Sequence, residues 1–329
     1  MKSSTSFNII PTLKAHHLPF ADLSKIIPPD KKLLQKSIRR FRPNSKNYED
    51  SWGYVIQSTR YGGFKWYDPK SNSLIFFGRK SDSDPTLVVP SFYATPENLA
   101  HIIHQIEVAM KTSCTIIKNV NSEEIGAYTP FGFRPYKKTE SWCTEARFDD
   151  QTFPQIVIDL QKTIEARGSS FQNLRTTLNK NPNVEIKKYK DQYNDEVLRL
   201  FAMRDKVSKD FSLDMNGMYF TSHAMYPKAS VDKYVIIDKN THEIIGFTAT
   251  SGISTETTAL VAAIFKPSIR IESVWGIYKT MEIKLHEGLQ RINLGGNETK
   301  EAFNFMQEKF RPTELLYKTH LIYDPKELV

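Results

Sequence analysis

Two cysteines, Cys114 and Cys143, are all that the 329 residues contain. They stand in no metal-ligand spacing, which argues against a disulfide framework or a zinc framework. No apolar run approaches the ~18 residues that a bilayer-spanning helix needs. The opening "MKSSTSFNIIPTLKAHHLPF" has no continuous apolar core and carries two histidines, unlike a secretory signal. Together these absences point to a cytoplasmic protein without stable membrane insertion. Acidic residues are also in deficit: 37 against 45 basic ones, for a net charge of +8. That balance favours an anionic partner, although the same field also serves solubility. What is present, 40% hydrophobic and 25% charged residues, is the composition of an ordinary globular chain long enough for two domains.

One outline occurs twice. "IIKNVNSEEIGAYTPFGFRP" (116–135) and "NLGGNETKEAFNFMQEKFRP" (293–312) both run from apolar residues through a polar stretch and a short helix to Phe-Arg-Pro. The triplet also occurs at Phe41–Pro43, so the order of elements around it carries the argument. In the first half "SLIFFGR", "TLVVPSF" and "CTIIKNV" read as strands, being β-branched or aromatic runs bounded by turn residues. "TPENLAHIIHQIEVAMK" reads as a helix with Thr95 as N-cap and Pro96 in the first turn. A short helix over Ile125–Tyr128 and a strand after Pro135 close this half. In the second half the order is strand "VEIKKYK", an amphipathic helix from Asp191, and a hairpin turning at Lys239–Thr241. Strand "TTALVAAIF", helix "IESVWGIYKTMEIKLHEGLQ", strand "RINLGG", helix "TKEAFNFMQEKF" and one final strand "ELLYKTHLIYD" follow. Such an order predicts mixed sheets with helices packed on them. The halves divide as 1–150 and 184–329, with a helical connector over 151–183.

The second-half order resembles the GNAT acyltransferase fold. "RINLGGNETKEAFNFMQEKFRP" is similar to the end of the soluble catalytic region of phosphatidylglycerol lysyltransferases, which group with the Fem-type aminoacyltransferases. Asn293, Leu294, Gly295, Gly296, Lys309, Phe310 and Pro312 match the family pattern, and Gln307 stands where it has its first lysine. "FQNLRTTLNKN" resembles the segment entering the second domain, with Arg175 and Lys180 at its basic positions. The resemblance implies an α/β (α+β) protein of two tandem GNAT-like domains, each a mixed, mostly antiparallel sheet flanked by helices. It implies a transferase moving an aminoacyl group from aminoacyl-tRNA to an amine or hydroxyl of a small-molecule or peptide acceptor, with no cofactor.

GNAT enzymes that use acyl-CoA cradle its diphosphate on a glycine-containing loop at a helix start. Here the corresponding "AAIFKPSIRIESVWGIY" and "VVPSFYATPENLA" have no glycine in the loop. Coenzyme A is thereby disfavoured, while an acyl-CoA or carrier-protein thioester remains the alternative donor, and a silent binding protein the third reading.

Several residues are candidates for the site. Arg175 either contacts an anionic donor or is an ordinary solvated helical arginine. Arg204 and Asp205 stand where this fold builds its acceptor wall; Asp205 is a candidate base or a plain surface carboxylate. Tyr219, His223 and Tyr226 lie in an aromatic, flexible stretch suited to a substrate pocket or to simple packing. Lys266, Arg270 and Ser273 surround a helix start with free N–H groups. Asn293, Gly295, Gly296 and Asn297 flank the expected gap between strands, where backbone N–H groups and an amide can orient an acyl carbonyl, or simply form a turn. Gln307, Lys309 and Arg311 follow, the last two placed to hold terminal phosphates.

Overall fold

The computed structural model describes residues 24–27, 29–59, 63–78, 86–112, 114–136, 153–180, 182–207, 231–267, 269–296 and 300–324. Two compact units result: residues 1–45, 54–151 and 317–329 form one, residues 46–53 and 152–316 the other.

The first unit contains β1 (Ser24–Lys25), α1 (Asp30–Phe41), β2 (Phe64–Asp68), β3 (Ser73–Gly78), β4 (Thr86–Tyr93), α3 (Pro96–Met110), β5 (Cys114–Asn121), α4 (Ile125–Tyr128), β6 (Phe133–Pro135) and β14 (Lys318–Tyr323). Helix α2 (Trp52–Ser58) enters it from the neighbouring segment. Its seven strands are ordered β1-β2-β3-β4-β5-β14-β6, and only β4 and β5 run parallel. A parallel pair needs a crossover, which α3 supplies. Helix α3 starts cleanly because Thr95 accepts the Asn98 N–H at 3.3 Å and Pro96 follows. It buries Leu99, Ile102, Ile103 and Ile106 against Leu87, Val89, Ile117 and Leu321. Fully burying side chains of this size contributes roughly 1.5–3 kcal/mol each.

The second unit contains β7 (Gln155–Asp159), α5 (Leu160–Glu165), α6 (Gln172–Leu178), β8 (Val184–Lys188), α7 (Asn194–Val207), β9 (Val231–Asp238), β10 (Ile244–Gly252), β11 (Thr257–Phe265), α8 (Arg270–His286), β12 (Arg291–Asn293), α9 (Lys300–Phe310) and β13 (Glu314–Leu316). Its sheet is ordered β13-β7-β12-β11-β10-β9-β8, and the parallel pair is β11 with β12. Val274, Ile277 and Met281 of α8 pack with Ile236, Leu260 and Ile292. Val197, Leu200 and Phe201 of α7 pack with Val235, Phe247 and Val261. Each unit is thus a mixed, mostly antiparallel sheet flanked by helices, as the resemblance implies.

Two sequence expectations are corrected. The stretch read as a helical connector begins with strand β7, because Ile156, Val157 and Ile158 form a β-branched run with 0% exposure. The single final strand is two strands interrupted at Tyr317: β13 pairs with β7 in the second sheet, and β14 lies between β5 and β6 in the first. A strand covers Phe133–Pro135, and the strand expected after Pro135 lies outside the described residues. Consequently the connector belongs to the second unit, residues 46–53 also join it, and residues 317–329 join the first. The Phe-Arg-Pro phenylalanines of the two repeated segments are equivalent in burial though not in register. Phe133, at 1% exposure, begins a strand, and Phe310, at 0%, ends a helix; each sits in its own unit's core.

Candidate functional site: the wedge in the second sheet

Strand β12 is short. It pairs with β11 at Thr257–Arg291, Thr258–Ile292 and Ala259–Asn293, and there the ladder stops. Strand β11 continues to Phe265, while the chain after Asn293 turns at Leu294–Gly295. Among the described residues, Leu260 to Phe265 have no ladder partner on this side, so the sheet opens into a wedge. The first sheet behaves alike: β4 and β5 pair from Thr86–Cys114 to Val89–Ile117, after which β4 runs on to Tyr93. There the Arg42 guanidinium lies over the rings of Phe92 and Tyr93, 5.0 and 5.6 Å from their centroids.

A buried polar network holds the second wedge. Asn293, with 0% exposure, donates through Nδ2 to the Lys46 carbonyl at 2.6 Å and to Gln155 Oε1 at 2.9 Å. Its Oδ1 accepts the Gly295 N–H at 2.7 Å. Gln155 Oε1 also accepts the Tyr48 N–H at 3.2 Å, and Gln155 Nε2 donates to the Glu49 carboxylate. Gly295 has φ +78, and its carbonyl accepts the Ile156 N–H. The left-handed turn is natural for glycine. A Cβ at Gly295 would also come within 3.3 Å of the Tyr48 ring.

The candidate residues fall into three groups. Asn293, Gly295 and Gly296 do meet at the wedge. The Asn293 amide is enclosed by the network, and the Gly295 N–H is engaged by Asn293 Oδ1. Gly296 is the exposed member of the turn. A second group stabilises the fold. Arg175 donates from one guanidinium nitrogen to the carbonyls of Ala166 and Gly168, both at 2.6 Å. Lys309 donates to Thr177 Oγ1 at 3.0 Å, and Arg311, at φ +50, donates from Nε to the Ser170 carbonyl at 2.8 Å. These contacts pin the end of α9 to the turn before α6 and to α6 itself. The Gln307 carbonyl accepts the Arg311 N–H in the closing turn of α9. The third group surrounds the start of α8. Lys266 pairs with Glu243 at 2.6 Å, Arg270 is exposed, and Ser273 Oγ donates to the Arg270 carbonyl at 2.8 Å. The side chains of Arg204 and Asp205, and all of Tyr219, His223, Tyr226 and Asn297, lie outside the described residues.

Sequence reasoning missed Tyr48, Glu49 and Gln155. Gln155 leads an apolar run, and that polar start was the available signal; "NYED" offers none. On the α7 side of the sheet, Lys233 is buried with its ammonium 4.8 Å from the Tyr189 ring centroid. Burial pushes its pKa down against the opposing charge of Asp191. Among the described residues no group of His, Cys, Asp and Glu could hold a metal ion, and no helix is long and apolar enough to cross a membrane.

No protein-family model matches the chain, and no curated protein matches it by sequence. Solved structures do match in fold. A conserved protein of unknown function from Bacteroides thetaiotaomicron is 15% identical with a TM-score of 0.69, over 92% of this chain and all of its own. FemX is 10% identical with a TM-score of 0.64, over 93% and 98%. L-PGS from Bacillus licheniformis is 15% identical with a TM-score of 0.59, over 90% and 92%. The fold expected from the sequence resemblance is therefore the fold present, across both units.

Proposed function

We propose that the chain is an acyl-group transferase that moves an aminoacyl group from aminoacyl-tRNA to an amine or hydroxyl of a small-molecule or peptide acceptor. The observation carrying this reading is the state of the helix starts beside the two wedges. A coenzyme A diphosphate needs several free N–H groups and close backbone approach. At α3 the Thr95 hydroxyl takes the Asn98 N–H, and Pro96 has none to offer. At α8 the approach runs Lys266-Pro267-Ser268-Ile269 without glycine, and the Lys266 charge is opposed by Glu243. The α8 start has no side-chain cap, but neither start combines free amides with the glycine spacing of a diphosphate cradle. A donor whose negative charge is spread over many phosphates does not need one, and the net charge of +8 suits it. The fold shared with FemX and L-PGS along nine-tenths or more of each chain supports the same reading.

In this mechanism the acceptor nitrogen or oxygen attacks the ester carbonyl directly. The new acyl bond forms first, giving a tetrahedral oxyanion, whose collapse breaks the bond to the tRNA ribose oxygen. A base, the role proposed for Asp205, takes the acceptor proton and returns it to that leaving oxygen. With the Gly295 amide engaged, the oxyanion falls to the Gly296 N–H and Asn297. No covalent enzyme intermediate is required, because the ester is already activated.

The test is incubation of purified protein with labelled aminoacyl-tRNA and a cell extract. Acceptor-dependent loss of label from tRNA is the expected result. Turnover only with a carrier-protein or coenzyme A thioester would overturn the tRNA donor, and turnover with none would overturn the enzyme reading.

A further inference from the structure

The eight residues from Lys46 to Gly53 precede the second unit by a hundred positions yet are built into it. Their attachment follows the wedge. The last β11–β12 pair is Ala259–Asn293. Two residues beyond it on one arm is Val261, and two beyond on the other is Gly295. The segment reaches both. A Cβ at Gly53 would come within 2.9 Å of Val261 Cγ1, and Gly53 N–H donates to Ser251 Oγ at 3.0 Å. The Tyr48 ring lies against Gly295 on the opposite arm. Lys46 anchors the near end, its carbonyl taken by Asn293 and its Nζ 2.5 Å from Glu314. Between the anchors, Gln155 bonds the Tyr48 N–H, the Glu49 carboxylate and Asn293 at once. The ring of Tyr48 stays half-buried, packed against the cluster that contains Val261.

We propose that residues 46–53 form a strap across the mouth of the wedge, and that Tyr48, positioned there by Gln155, is the wall that limits the size of the acyl group the second unit accepts. The inference rests on the proposed function in placing the acyl group at this wedge. Its own content is the identity of the wall. Tyr48 is an amphipathic plate of fixed position: its N–H is held by Gln155, and its ring is backed by the left-handed turn at Gly295. A donor acyl chain entering along the unpaired edge of β11 meets that ring first. Small or slender acyl groups fit beneath it, and bulky ones do not.

The experiment measures retention of tRNA charged with glycine, leucine or tryptophan by the full chain at low salt, for wild type, Tyr48→Ala, Tyr48→Leu and Gln155→Ala. Pantetheine thioesters of acetate and phenylacetate are titrated in parallel. Wild type should favour the glycyl and acetyl donors. Tyr48→Ala and Tyr48→Leu should shift the bulky-to-small preference by about tenfold or more. Tyr48→Leu keeps an apolar contact with the core while removing the ring, so it reports even where the alanine variant folds poorly. Gln155→Ala should shift the preference the same way, whereas a merely loosened fold would lower all donors alike. A preference unchanged within about twofold in both Tyr48 variants overturns the wall. Binding of thioesters but not of charged tRNA refutes the tRNA donor while the wall is still read from acetate against phenylacetate. Binding of neither class overturns both.

Discussion

Glu107→Gln isolates the effect of burying one carboxylate in the first unit. Glu107 projects from α3, half-buried, and its Oε1 accepts the Thr115 hydroxyl at 2.6 Å. Burial pushes its pKa from the ordinary 4.5 up to about 7; the Thr115 bond opposes the shift and the Asp324 charge adds to it. Between these values the folded protein holds a proton that the unfolded chain has released. Stability therefore falls as pH rises from 4.5 through 7, and the penalty is absent below 4.5. The whole interval corresponds to about 3 kcal/mol. Partial exposure of the carboxylate reduces this to roughly 1–2 kcal/mol. Glutamine keeps an acceptor for Thr115 and removes the charge. At pH 8 the variant should be more stable than wild type by that amount, or about 2–8 °C in Tm for a unit of this size. Near pH 4.5 the two should coincide. Thermal unfolding followed by circular dichroism from pH 4.5 to 8.5 measures it. Parallel curves across that range, or a less stable variant at pH 8, would refute the reasoning.

Other predictions follow from the wedge and from one buried lysine. Asn293→Ala removes three hydrogen bonds and leaves buried partners unmatched, so urea unfolding should show a loss of about 2–4 kcal/mol. Gly295→Ala places a side chain at φ +78 beside the Tyr48 ring and should cost about 1–2 kcal/mol. Part of that cost should disappear in the Tyr48→Ala background, read as a double-mutant coupling. Lys284 is 1% exposed and bonds Asp232 at 2.6 Å and Glu287 at 2.8 Å. Burial opposes its charge, yet the bonds from the two carboxylates win and raise its pKa above the ordinary 10.5. Lys284→Met should therefore destabilise by about 1–3 kcal/mol at neutral pH. The difference should be constant from pH 6 to 9 and shrink only as pH passes upward through the lysine's own pKa.

Most elements were legible because local pattern and final environment agree. The helix begun by Thr95 and Pro96 lies where its cap puts it, and the short helix Ile125–Tyr128 lies where it was expected. The misreadings share a physical cause. A run such as Gln155–Asp159 is helix or strand according to which neighbours bury it, and those neighbours are β12 and β13, more than a hundred residues away. "ELLYKTHLIYD" has unbroken strand character, so nothing local marks Tyr317 as the point where the chain leaves one sheet for the other. At the site, Gly295 was visible as a turn residue, and its conformation bears that out. Arg175 and Arg311 were visible only as charges. What they bond is set by backbone carbonyls at Ala166, Gly168 and Ser170, which no side-chain pattern encodes.

The placement of β14 has a consequence for synthesis. It is an interior strand, flanked by β5 and β6, yet nearly two hundred residues separate it from either partner in sequence. A ribosome that has translated the first 150 residues has made a layer with a slot between β5 and the edge strand β6. That slot cannot close until Lys318–Tyr323 emerges, by which time the other layer has all its strands. The region translated first is thus completed last, and a fragment ending near residue 150 would present two bare strand edges to its neighbours in place of a finished domain.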